Sequence, residues 1–200
     1  PIPTLMKGAA ALGFVNTPTD IDQVVRRITL VDTNTFAVPF PSLGLAAALE
    51  ARGLSPLDIE LKKRYLVADG QQIPLDESNR ALPEFWGPRE TFTSISYVDI
   101  LQGTVSPDYF QDKIVLVGVN TQEEHDDYPT PFTTSNMVKS GRLNTPGVEI
   151  HAAVAQSFLA GRWYKQGEFG ATFLLLLFLT GAAPLFIANR GPFKGLLNVM

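Results

Sequence analysis

A run of about 20 residues without charge, Phe169–Ala188, constrains the fold of this chain more than any other feature, because a helix of that length is long enough to cross the hydrocarbon core of a bilayer. Trp163 and Tyr164 lie just before it, where aromatic side chains collect at membrane interfaces. We therefore predict a transmembrane helix over 169–188. Residues 189–200 are predicted to form a turn and the start of a second membrane helix, and a buried core helix is the alternative interpretation of the run.

Charge and cysteine content exclude several classes of function. The chain has sixteen Lys and Arg against twenty Asp and Glu, a formal net charge of −4. Nucleic-acid binding needs clustered basic side chains, and the clusters Arg26-Arg27 and Lys62–Arg64 are too short to supply them. We expect no nucleic-acid partner. The absence of Cys excludes disulfides and thiolate metal sites.

Strand and helix patterns predict an α/β domain before the apolar run. The segment Lys113–Val119 is almost entirely apolar, which is typical of a central strand in a parallel sheet that is covered on both faces. One helix is predicted between Ser42 and Gly53, and another between Pro146 and Gly161. The predicted fold class is α/β, with a mixed or mostly parallel sheet and flanking helices, followed by the transmembrane helix.

Three shorter elements complete this pattern. Gln23–Val31 is rich in β-branched residues and predicts a strand, and Tyr65–Ala68 predicts another. Thr93–Gln102 mixes both signals, so we predict the end of a strand that continues into a short helix stopping at Gly103.

The densest group of polar side chains is Glu123–Asp127, directly after the predicted central strand. Loops at the carboxyl ends of parallel strands hold the sites of α/β proteins, and His125 and His151 are ligand types that suit a divalent metal. A solvated acidic loop is the alternative, and no HExxH, EF-hand or Gly-rich phosphate motif is present. We predict no catalytic residue, no metal site and no cofactor. A membrane-anchored metal-dependent hydrolase that uses the His125–Asp127 loop and His151 is the alternative function.

Two further positions have side chains that suit ligand binding. Arg27, beside Arg26 on a predicted strand, can bind an anion through two parallel hydrogen bonds, with a surface ion pair as the alternative. Glu149 and His151 are two positions apart on the predicted helix, so they point to different faces and cannot form an acid–base pair. His151 lies on the apolar stripe of the helix, where we expect a packed, hydrogen-bonded histidine.

Several segments together resemble one family, and they occur in the expected order: Gly13–Asn16, Asp22 with Val24–Arg27, Pro41–Ala46, Ile95-Ser96 with Asp99–Gly103, Phe110 with Asp112–Gly118, Asp127 with Thr130-Pro131, and Pro146–Ala152. They resemble the second type of CHASE domain, a cyclase/histidine-kinase-associated sensory extracellular module of bacteria. The resemblance covers roughly residues 1–162. The family domain is longer at its N-terminal side, so residues 1–165 are expected to form part of such a domain.

The resemblance implies a function and a location. Residues 1–165 would be the periplasmic or extracellular sensor domain of a bacterial transmembrane receptor in the cell membrane. They would recognise a small-molecule or environmental ligand and signal through the last helix into the bilayer. The output domain would be a cytoplasmic cyclase, kinase or diguanylate cyclase, so this segment itself is not expected to be an enzyme. Receptors of this kind often work as homodimers.

The candidate ligand-binding residues lie in segments that carry the resemblance. They are Arg27, Asp127, Thr130, Glu149 and His151.

Overall fold

A computed structural model describes residues 2–33, 35, 38–120, 126–133, 144–167 and 169–188, without the side chains of 183 and 185–188. The chain divides into two compact units, Pro1–Lys165 and Gln166–Met200. The first unit contains every described strand, and the second contains a single described helix.

The elements of the first unit are short. Its helices are α1 Pro3–Gly8, α2 Leu43–Ala51, α3 Tyr97–Leu101 and α4 Gly147–Ala160. Short 3₁₀ turns occupy Pro56–Asp58 and Pro107–Phe110. Its strands are β1 Ile28–Thr29, β2 Val31–Asp32, β3 Phe40–Pro41, β4 Glu60–Lys62, β5 Tyr65–Ala68, β6 Gln71–Pro74, β7 Arg80–Pro83, β8 Asp127–Tyr128, β9 Thr145–Pro146 and β10 Trp163–Tyr164.

Every pair of these strands that the structure describes is antiparallel, so the prediction of a mixed or mostly parallel sheet was wrong. The strand orders are β1–β7–β10, β2–β3, β4–β5–β6 and β8–β9. A tight turn explains why β5 and β6 are antiparallel, because Asp69 and Gly70 both have positive φ and reverse the chain within two residues. A parallel pair would instead need a long crossover between its strands. The α/β class itself is confirmed.

The predicted helices of the core are confirmed. Helix α2 follows Ser42, and Gly53 adopts a φ of 68° two residues after its end. Helix α4 follows Pro146 and ends at Gly161, which is left-handed with a φ of 66°. A positive φ is a low-energy conformation for glycine, so both helices stop where the sequence predicts.

The core lies between α2, α4 and the strands. Its largest fully buried side chains are Phe158, Ile28, Leu30, Leu45, Leu49, Leu66, Ile73 and Ile150. Helices α2 and α4 approach closely at Gly44, where an added Cβ would lie 2.3 Å from the carbonyl oxygen of His151. Glycine at this position therefore sets the distance between the two helices.

The predicted central strand at Lys113–Val119 is not a strand in the structure. Its side chains are not interior either, since Val115 is 49% exposed and Val117 is 75% exposed. The segment contacts α4 through Gly118, where an added Cβ would lie 2.5 Å from the Cβ of Val148. Within the described residues no neighbouring strand pairs with it. An apolar run forms a central strand only where strands flank it on both sides.

Two other predicted strands are correct only in part. Gln23–Val31 contains β1 and the first residue of β2 but is not one continuous strand, whereas Tyr65–Ala68 is β5 as predicted. The helix predicted before Gly103 is α3, and Gly103 has a φ of 71°. The strand predicted just before α3 is not formed.

The described part of the second unit is the helix α5, Phe169–Ala188, which contains Pro184. The rings of Phe169 and Phe173 stack with centroids 6.1 Å apart. Within the part of the chain that the structure describes, no helix is sufficiently long and apolar to cross a membrane. A helix over 169–188 is confirmed, and its assignment as a transmembrane segment is not. The turn and second membrane helix predicted for 189–200 lie outside the described residues.

Candidate ligand-binding site

Three arginines and three aspartates form one ion-pair cluster at the edge of the β1–β7 sheet. Arg27 Nη1 donates to both carboxylate oxygens of Asp20 at 2.8 Å, and Arg80 Nη1 donates to the same carboxylate at 3.2 Å. Arg80 Nε donates to Asp76 at 3.0 Å. Arg26 donates through two hydrogen bonds of 2.8 Å to Asp22. The cluster joins the segment before β1 to the start of β7.

Local structure explains why these side chains meet. Thr29 pairs with Arg80 in the antiparallel β1–β7 ladder. Arg27 lies two residues before Thr29 and therefore on the same face of the sheet as Arg80. Asp20 begins a turn in which the amide of Gln23 donates to the Asp20 carbonyl at 2.9 Å. The register of the ladder and this turn bring two guanidinium groups to one carboxylate.

The cluster lines an open cavity of ≈ 520 Å³, which we call the arginine pocket; its lining residues are Asp20, Ile21, Asp22, Arg26, Arg27 and Arg80. Its members differ in exposure, since the Asp20 side chain is 10% exposed and that of Asp22 is 49% exposed. The hydrogen bonds from Arg26 lower the pKa of the Asp22 carboxyl to about 2. This volume lies within the range of small-molecule sites, but the cavity is open to solvent and, apart from Ile21, is lined by charged residues.

One donor in the arginine pocket is unsatisfied. Arg27 Nε is buried and has no hydrogen-bond partner in the described part of the chain. Asp76 Oδ2, the nearest carboxylate oxygen recorded for it, lies 3.6 Å away, which is too long for a hydrogen bond. The predicted candidate Arg27 therefore makes ion pairs and keeps an unused buried donor.

The predicted candidate His151 lies in the core and not in the arginine pocket. His151 is only 4% exposed, and its Nε2 lies 3.3 Å from the carbonyl oxygen of Val15. Because a carbonyl oxygen only accepts, Nε2 carries the proton in this bond. Nδ1 is buried without a hydrogen-bond partner among the described residues. His151 is thus buried as predicted, but the expectation that both ring nitrogens bond to protein groups is met only by Nε2.

Burial lowers the pKa of His151 below its usual 6.5, against smaller raising effects of the Val15 carbonyl and the Asp126 carboxylate. Just below pH 6.5, His151 is protonated in the unfolded chain and still neutral in the folded protein. Because the unfolded state then binds more protons, the contribution of His151 makes the free energy of unfolding fall as pH drops below about 6.5. We expect His151→Gln to reduce that slope by at most about 1.4 kcal/mol per pH unit. Urea unfolding of both proteins between pH 7 and pH 5 measures it, and equal slopes would contradict the assignment.

The predicted candidate Glu149 holds a neighbouring loop. Both of its carboxylate oxygens accept from the backbone amide of Glu90, at 3.1 and 3.2 Å. Burial raises the pKa of Glu149, while the bond from Glu90 and the charge of Arg89 oppose the shift. Arg89 also donates to the carbonyl oxygens of Asn120 and Asn144. These contacts fasten the loop and the end of the 113–119 segment to the start of α4.

Asp127 and Thr130, the two remaining candidates, lie in and just after β8. Asp127 is the Cα partner of Pro146 in the β8–β9 ladder. Thr130 is 2% exposed, and its hydroxyl lies 3.2 Å from that of Thr145. Both residues therefore hold β8 against the start of α4. Of the five predicted candidates, only Arg27 lines the arginine pocket.

The metal-dependent alternative has no support from the described residues, among which no three His, Asp or Glu side chains are grouped to hold a metal ion. His125 lies outside the described residues. His151, the second ligand of that alternative, directs Nε2 to the carbonyl of Val15.

The last turn of α4 is held by three other elements. Arg52, after α2, donates to the Leu159 carbonyl at 3.1 Å, and Gln71 of β6 donates to the Phe158 carbonyl at 3.0 Å. The Ser157 hydroxyl accepts from the backbone amide of Glu84, just after β7, at 2.9 Å. Only two residues, Gly161 and Arg162, separate the end of α4 from β10. The end of α4 is therefore attached to both neighbouring sheets and to α2.

Comparison with models of protein families identifies the family of this chain. The model of the CHASE2 domain matches residues 2–183, which is most of the chain. The chain belongs to the CHASE2 family. CHASE2 is a family of sensory extracellular domains of signalling receptors, so the suspected family is confirmed. A comparison with curated proteins and one with solved structures found no match.

Sequence reasoning missed most of the arginine pocket of this CHASE2 domain. Asp20 and Arg80 were not predicted, and they are separated by 60 positions. In the sequence, only the adjacent basic residues Arg26 and Arg27 indicated a binding site for an anion. No spacing rule links these residues, because their meeting depends on the β1–β7 register.

Proposed function

We propose that residues 1–165 are an extracytoplasmic sensor that passes a conformational signal through α4 and β10 to a cytoplasmic output domain, a cyclase, kinase or diguanylate cyclase. Membership of the CHASE2 family supports the sensory role. The receptor is held at a lipid bilayer and works as a homodimer. Its ligand is a small molecule, and this segment performs no catalysis.

The observation that carries the proposal is the unequal attachment of α4 and β10. Helix α4 buries Ile150, Val154 and Phe158 completely in the core. In contrast, β10 pairs with β7 through only two residue pairs, Trp163 with Pro83 and Tyr164 with Leu82. Because only two residue pairs hold β10, a small shift of β10 against the packed helix breaks few contacts, and small shifts of packed elements are a recognised mode of switching.

Arg162 reinforces the short ladder through two contacts, beside a hydrogen bond of 3.4 Å from the Tyr164 hydroxyl to the Glu84 carboxylate. Arg162 Nε lies 2.8 Å from the carboxylate of Glu84, whose side chain is 13% exposed. The Arg162 guanidinium also lies 4.8 Å from the centre of the Trp86 ring. These contacts bias the position of β10, so a ligand-driven shift must break or rearrange them. The sensor signals by changing the balance between two arrangements of this junction.

Glu84→Gln is expected to change the basal output of the intact receptor. A half-buried ion pair contributes about 1 kcal/mol, which changes a two-state ratio roughly fivefold. The measurement is the rate at which the output domain forms its product without added ligand. Glu60→Gln is the matched control, because it removes the exposed ion pair of Glu60 with Lys62, away from β10. Equal output from Glu84→Gln and wild type would contradict the proposed path.

A further inference from the structure

We propose that the arginine pocket binds a small carboxylate ligand in exchange for the side chain of Asp20. This inference rests on the proposed sensory function and names the ligand class of the sensor. The exchange breaks no covalent bond. An external carboxylate takes the hydrogen bonds of Asp20, and the freed Asp20 carboxylate turns into solvent.

Asp20 already occupies the position that an anionic ligand would take. Its carboxylate accepts from Arg27 twice at 2.8 Å and from Arg80 at 3.2 Å, and Arg26 Nη1 lies 3.5 Å away. Three guanidinium groups around one carboxylate form a geometry that recognises planar anions. The pocket therefore shows how a ligand carboxylate would be held.

The turn that carries Asp20 has few other attachments to the domain. Its own hydrogen bonds are internal, from Asp20 N to Val24 O and from Gln23 N to Asp20 O. Ile21, next in the chain, is fully exposed. The first firm anchor after the turn is Val25, which is completely buried and donates its amide to Pro129. Release of Asp20 therefore leaves the core and β1 in place.

The arginine pocket has more donors than its own carboxylates use. Each guanidinium carries five N–H groups, and Arg27 Nε is buried without a hydrogen-bond partner among the described residues. Arg27 Nε lies toward Asp76, so a ligand carboxylate would accept from the Nη groups that now donate to Asp20. The cavity of ≈ 520 Å³ leaves room for the rest of a small molecule beside it.

The exchange site is connected to the proposed signalling path. Arg80 is the first residue of β7, and the last two residues of the same strand, Leu82 and Pro83, pair with β10. A change in the partners of Arg80 acts on the strand that holds β10. The pocket and the junction thus share one short element.

The test is calorimetric titration of the 200-residue chain with succinate, and separately with inorganic phosphate, at ionic strength held constant with chloride. We expect Asp20→Asn to bind succinate at least about tenfold more tightly than wild type, because apparent affinity falls with the fraction of molecules whose arginines are occupied. Arg27→Gln is expected to abolish binding. Asp69→Asn, which changes the carboxylate partner of Arg52 outside the arginine pocket, is the matched control and should bind like wild type.

Several outcomes would overturn the proposal. Asp20→Asn that binds succinate no more tightly than wild type would show that Asp20 does not compete with a ligand. Tighter binding of phosphate than of succinate would contradict the carboxylate class. If Asp20→Asn is unfolded alone, folding on addition of succinate supports the exchange, and failure to fold with succinate contradicts it.

A second readout separates this inference from the proposed function. Succinate that binds the pocket without changing the output of the intact receptor would support the pocket and contradict sensing through it. The opposite result is a receptor whose output changes on Glu84→Gln but whose domain binds neither succinate nor phosphate. That result would support the signalling path and contradict ligand binding in the arginine pocket.

Discussion

Gly44→Ala is expected to lower the free energy of unfolding of this domain by about 3 kcal/mol. Overpacking a core position costs on the order of 1–3 kcal/mol, and the upper end applies here because the added atom would clash with backbone. The added Cβ would lie 2.3 Å from the carbonyl oxygen of His151 and 2.9 Å from the Cβ of Val154. The first of these atoms is backbone inside α4, so it cannot turn aside as a side chain would. The helices must separate, and the contacts of Leu45 and Ile150 in the core loosen with them.

Urea unfolding measures the change, with Gly8→Ala as the matched control. A Cβ at Gly8 meets no atom within 4 Å, so the control is expected to change stability by less than about 1 kcal/mol. If both variants unfold at the same urea concentration, the close approach of α2 and α4 is wrong.

The sequence was informative wherever a local rule decides the structure. Glycine at the end of a helix is such a rule, and Gly53, Gly103 and Gly161 each adopt a positive φ just after a helix. The apolar stripe of α4 likewise predicted that His151 is buried. These features need no knowledge of which strand lies beside which.

Features that depend on neighbours in space were not predictable. Lys113–Val119 has the composition of a central strand, but composition does not supply flanking strands, and in the structure Val117 is exposed. The same limit applies to the arginine pocket. Arg27 was visible as a basic residue on a strand, whereas its partner Asp20 is recognisable only once the turn at 20–24 is formed.

A disulfide between β7 and β10 is expected to fix the output of the receptor. The chain contains no Cys, so an engineered pair has no competing partner within it. Leu82 and Tyr164 are Cα partners in the antiparallel ladder, where paired Cα atoms lie roughly 4.5–5.5 Å apart, within the range that a disulfide bridges. Leu82→Cys with Tyr164→Cys therefore places two thiols where a disulfide can close the junction covalently.

The most direct test of the signalling path is the output of the intact receptor carrying this pair, measured with oxidant and again after dithiothreitol. Glu60→Cys with Val67→Cys is the control, because those residues pair in the β4–β5 hairpin, away from β10. We expect the oxidised receptor to have the same output with and without Glu84→Gln. Reduction should restore the effect of Glu84→Gln on the output. Oxidation of the control pair should leave the output unchanged. An oxidised junction that leaves the output and its response to Glu84→Gln unaltered would contradict signalling through α4 and β10.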